Sequence, residues 1–68
     1  MSVKVGDQVL FRPNAKAASI GATVTAVHGP DNGGHERPLV NLELEDGTVF
    51  TSIPHEFQAA PDGFRWQY

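Results

Sequence analysis

The chain has 68 residues, no cysteine, seven glycines, five prolines and a formal net charge of −3. This length excludes a two-lobed enzyme with an interdomain cleft, and the lack of thiols excludes disulfides and thiolate-bound zinc as staples for so small a core. Residues 1–7 lack the basic start and apolar run of a signal peptide, and no apolar run reaches bilayer length, so the chain reads as soluble and cytoplasmic with no membrane partner.

In chain order the elements are β-strands, with almost no helical periodicity. Gly6-Asp7 marks a turn, Gln8 to Arg12 is a short apolar run, and Pro13-Asn14 ends it because proline cannot donate to a ladder. Residues 13–19 read as an exposed loop. The next strand covers Ile20 to His28, where Val24 and Val27, three apart, break strict alternation. Either a β-bulge lies near Thr25-Ala26 or the strand bends and buries residues on both sides. Residues 29–37, with Gly-Pro, Asn-Gly and Gly-Gly pairs, read as a loop.

Val40, Leu42 and Leu44 alternate with polar residues, Asp46-Gly47 follows, and Thr48 to Ile53 is β-branched and aromatic. This predicts a hairpin over about 39–53 with a two-residue type I′ turn, which needs positive φ at both central positions. In that register Leu44 lies opposite Val49, and Phe50 points away from the Leu44 face. Residues 54–57 suit a single 3₁₀ turn anchored by Phe57. In the tail, Phe64, Trp66 and Tyr68 alternate as in a final strand or an interface segment.

Val-Gly-Asp-x-Val-x-Phe at 5–11, Gly-x-x-Val-x-x-Val at 21–27 and the following Asp-Gly hairpin resemble small SH3-like barrels of the KOW and Tudor-like kind, over about residues 3–57. The resemblance implies an all-β, five-stranded SH3-like barrel at 1–57, with a short 3₁₀ turn near 54–57 and an aromatic tail at 58–68. It also implies contact with RNA or ribosomal protein as one use of the fold. A more distant resemblance is to the type II dihydrofolate reductases, short SH3-like chains that form one active pore as a tetramer. There Gly6-Asp7-Gln8-Val9 and the segment 49–54 are similar in placement. The pore-lining Val-Gln-Ile-Tyr of that family is Val49-Phe50-Thr51-Ser52 here, so no catalytic residue carries over.

Charge separates two functional readings. Residues 1–28 hold Lys4, Arg12 and Lys16 against Asp7, a balance of +2, while residues 29–68 hold two arginines against seven carboxylates, a balance of −5. Phosphate binding needs cations in number, so Lys4, Arg12 and Lys16 define only a secondary, nucleic-acid reading. The acidic hairpin with Glu43 and Glu45 suits a basic protein partner. Phe50, Phe64, Trp66 and Tyr68 suit a protein interface or a homodimer seam. A methyl-lysine cage would need several aromatics converging with an acid. His28, His35 and His55 are scattered, with no metal-ligand spacing, and no serine elbow, cysteine nucleophile or phosphate loop is present. The expectation is a non-enzymatic binding module without cofactor or small-molecule substrate. It would act through the 29–37 loop, the acidic hairpin and the aromatic tail.

Overall fold

A computed structural model describes residues 2–31 and 36–68; Met1 and residues 32–35, the middle of the predicted 29–37 loop, lie outside the described residues. Five strands form one antiparallel sheet. They are β1 (Gln8–Arg12), β2 (Ile20–His28), β3 (Leu39–Leu44), β4 (Val49–Ile53) and β5 (Arg65–Gln67), arranged in the order β4-β3-β2-β1-β5.

Alternation sets which face is buried. Val9 and Phe11 of β1, Ala22 and Val24 of β2, and Val40 and Leu42 of β3 point to one side. Together with Val3, Ile53 and Trp66 they make the core. Burying each large apolar side chain stabilises the fold by about 1.5–3 kcal/mol. The Val24–Val27 spacing has the first of the two explanations offered by the sequence. A register shift between Val24 and Ala26 inserts a bulge, and Val27 returns to the core face.

The expected SH3-like barrel is not formed. β4 and β5 are the two edges of an open sheet, and no ladder joins them among the described residues. The physical reason lies after Ile53, where Pro54 has no N–H to extend a ladder and β5 is only three residues long. A single parallel bridge, His55 to Trp66, links the chain beyond β4 to β5. In it the Trp66 amide donates to the Pro54 carbonyl at 3.0 Å, and the Glu56 amide donates to the Trp66 carbonyl at 3.0 Å. That bridge also replaces the expected 3₁₀ turn at 54–57. His55 is committed to Trp66, and one turn follows, in which the Gln58 amide donates to the His55 carbonyl at 2.9 Å.

The hairpin spans the predicted residues but closes differently. Its loop has three residues, 45–47, bounded by the Leu44 amide donating to the Thr48 carbonyl at 2.9 Å and the Gly47 amide donating to the Leu44 carbonyl at 3.0 Å. Gly47 takes φ 90° and Asp46 does not take positive φ, so the turn is not type I′. The Asp46 carboxylate instead accepts the Thr48 amide at 2.9 Å. The extra loop residue shifts the register so that Glu43 faces Val49 and Leu42 faces Phe50. Phe50 therefore lies on the core side, opposite to expectation, and Val49 faces solvent.

A second irregularity in β3–β4, between Val40 and Leu42, keeps Ile53 in the core. Ser52 supplies the extra residue with φ 55°, and its amide donates to Asn41 Oδ1 at 3.0 Å. The same oxygen lies 2.8 Å from His28 Nε2, so one asparagine fastens the bulge to the end of β2.

Candidate interaction surface

The open side of the sheet carries the first candidate feature. Phe11, fully buried in β1, stacks on Phe50 of β4 with ring centroids 4.6 Å apart. Phe64, immediately before β5, lies 5.6 Å from Phe11 and 5.5 Å from Phe50. These three rings bridge the two sheet edges that do not pair. Phe64 remains 48% exposed, so the aromatic stack opens directly to solvent.

Position and backbone both place Phe64. The turn before it is organised by the buried Arg65, whose guanidinium donates to the carbonyls of Ala60, Pro61 and Gly63. One guanidinium thus ties three carbonyls of the turn together and fixes the backbone that leads into Phe64.

A second cluster joins both chain ends to the loop between β2 and β3. The Asp31 carboxylate accepts two bonds from Arg37, from Nε at 2.6 Å and from Nη2 at 2.9 Å, and one from the Val3 amide at 2.7 Å. The guanidinium lies 5.2 Å from the Trp66 ring centre and 5.9 Å from that of Tyr68. Tyr68 donates to Asp7 Oδ2 at 2.6 Å. This bond holds the Asp7 carboxyl below its ordinary value and pushes the Tyr68 hydroxyl above its own. Two aromatics converging with a carboxylate do make a cation site here, and the chain's own Arg37 occupies it.

The predicted residues fall into three groups. Trp66 is fully buried, its indole N–H donating to the Pro38 carbonyl at 3.3 Å and its ring meeting His55 edge-on at 4.6 Å and Tyr68 at 6.3 Å. Phe64 and Tyr68 are each about half exposed, and Phe50 is half-buried behind Phe64. Glu43 and Glu45 lie on the outer face, around a shallow depression of about 230 Å³ also lined by Gly21, Gln8 and Thr23. Lys4 precedes β1 and Arg12 ends it, so the strand's length separates them. Arg12 is tied to Ser19 Oγ at 2.8 Å, and Lys16 stands beside Pro61 and Asp62. Arg12 also donates to the Ala15 carbonyl beside Lys16, so these two share one loop, while Lys4 lies before the other end of β1.

The histidines are separately engaged. His28 meets Asn41, and His55 accepts the Phe57 amide on Nδ1 at 3.3 Å, while His35 lies outside the described residues. Among the described residues, no three potential ligands converge, and no buried side-chain polar atom lacks a partner. Sequence reasoning missed Asp31, Arg37 and Asn41. The one available signal was the opposite charge of Asp31 and Arg37, close together in the sequence on either side of Gly33-Gly34. Comparisons with protein-family models, with characterised proteins and with solved structures return no match. The chain is a small all-β domain that presents aromatic and charged side chains at its surface.

Proposed function

We propose that this chain is a non-catalytic protein-binding module that offers two contact features, the half-exposed Phe64 on one face of the sheet and the acidic β3–β4 hairpin on the other. The observation that carries this reading is the half-exposed Phe64 ring standing on Phe50 between two unpaired sheet edges. Rigid aromatics over a packed base are the residues that anchor protein interfaces, because their burial adds apolar area at little cost in side-chain entropy. The negative hairpin, with Glu43, Glu45 and Asp46, supports a basic partner through electrostatic complementarity.

Selection of random peptides displayed on phage against the full chain tests the reading. Enriched peptides are expected to bind the wild-type chain and to lose about tenfold or more in affinity to Phe64→Ser, the effect of removing an anchoring ring. Trp66 fluorescence verifies that the variant is folded. Glu45→Lys, a surface change, is expected to weaken the same peptides independently. A selection that enriches nothing above background, or ligands indifferent to both variants, overturns the proposal.

A further inference from the structure

The outer edge of β4 is an unsatisfied strand edge. β4 pairs with β3 alone, and among the described residues no strand lies on its other side. In an antiparallel pair, alternate residues direct N–H and C=O toward the partner strand and away from it. Since the Thr48 carbonyl is bonded inward to Leu44, Val49 and Thr51 direct their backbone groups outward. Val49, Thr51 and Ser52 have exposed side chains, so among the described residues that edge is left open.

The charge around the edge selects its occupant. Residues 38–64 contain Glu43, Glu45, Asp46, Glu56 and Asp62 and no lysine or arginine. Glu45 and Asp46 stand just before β4, Glu56 just after it, and Glu43 pairs with Val49. A second copy of the chain adding its own β4 would set carboxylates against carboxylates in either strand direction. Such like-charge contacts are unfavourable. A strand bearing lysine or arginine meets complementary charge at both ends.

The pleat selects the pattern. A residue placed opposite Phe50 projects to the same face as Phe50, beside the half-exposed Phe64, and must be apolar. Its neighbours project to the outer face, beside Val49 and Thr51 of β4, with Glu43 of β3 two strands away. We infer that β4 accepts an extended basic segment of another protein as a sixth strand, with an apolar side chain seated on Phe64 and lysines or arginines on either side. The inference rests on the protein-binding reading and specifies both its partner and its geometry. The Ser52 bulge limits the addition to the stretch from Val49 to Thr51.

The test uses the full isotope-labelled chain and a short capped peptide alternating lysine with valine and phenylalanine. Binding is expected to slow amide hydrogen exchange at Val49 and Thr51 about tenfold or more, as for new ladder bonds. It should weaken with salt, and it should be lost when glutamate replaces the peptide's lysines or when the peptide's edge amides are methylated. Thr51→Lys, at an exposed side chain, should lower the affinity about tenfold by repulsion and steric blunting of the edge. A methylated peptide that binds as well as the parent, or a peptide that binds without protecting Val49 and Thr51, overturns the inference. Phage-selected ligands that require Phe64 but leave those two amides unprotected overturn strand addition alone and leave the module reading standing.

Discussion

The guanidinium of Arg37 lies 5.2 Å from the centre of the Trp66 ring while its Nε holds Asp31 Oδ1 at 2.6 Å. The pair is nearly dry, with the Arg37 and Asp31 side chains 10% and 2% exposed. Removing one partner strands the other, because a buried carboxylate without its cation keeps its desolvation penalty. Arg37→Ala is therefore expected to lower stability by about 3 kcal/mol. Arg37→Lys keeps the charge but not the two-pronged fork, and should lower it by about 1.5 kcal/mol, the scale of one charged hydrogen bond. Urea unfolding with an unchanged slope measures both, and a shift for Arg37→Ala below about 0.5 kcal/mol would show that the pair adds little.

Tyr68 is the only tyrosine in the chain, so its ionisation can be followed by ultraviolet absorbance without assignment. Its hydroxyl donates to Asp7, and the adjacent carboxylate raises its pKa above the ordinary 10.0. Asp7→Asn removes the negative charge, and the titration midpoint is expected to move down toward that ordinary value. A midpoint at 10.0 in the wild type, unchanged in the variant, would mean that the terminal tyrosine does not hold Asp7 in solution.

How much of this was readable beforehand depended on the range of the interaction. Strand positions and the β2 bulge were readable because side-chain alternation is local, and its failure at Val24 and Val27 was visible in the sequence. The hairpin register was not. Asp46-Gly47 fits a two-residue turn and equally a three-residue loop in which only Gly47 takes positive φ, and that single residue decides which face Phe50 occupies. Barrel closure failed for a similar reason, since it requires pairing between β4 and β5, and no local pattern reports whether two distant edges meet. Among the tail aromatics, the alternation placed Phe64, Trp66 and Tyr68 together. It did not show that the bridge to His55 would bury Trp66 and leave its two neighbours half exposed.

Ser52 holds φ 55° although it carries a side chain, and its side chain is exposed. A non-glycine residue in the left-handed region is strained by about 1 kcal/mol, a cost that glycine avoids. Ser52→Gly is accordingly expected to stabilise the fold by about 0.5 kcal/mol, after its added unfolded-state entropy is set against the relieved strain. Asn41→Ala removes the acceptor of the Ser52 amide and the partner of His28, and should destabilise by about 1–2 kcal/mol. Thermal midpoints moving in the same direction for both variants would contradict the bulge as the point of strain.

His55 sits buried between Phe57 and Trp66, with its Nδ1 accepting the Phe57 amide, a role only the neutral ring can fill. Burial first, and then the charge of Arg37, holds its pKa below the ordinary 6.5, against the opposing pull of Glu56 and Asp31. The folded state is thus harder to protonate than the unfolded chain, so the contribution to stability is complete above 6.5. It is lost as pH falls from 6.5 through the lower folded value. Asp7, whose pKa lies below its ordinary 3.8, acts with the same sign but only in stronger acid. Urea midpoints recorded from about pH 8 to about pH 5 isolate the histidine, and they should decline in the wild type and become nearly flat in His55→Gln. An equally steep decline in the variant would assign the acid sensitivity to another group and would mean that the Phe57 amide does not depend on a neutral imidazole.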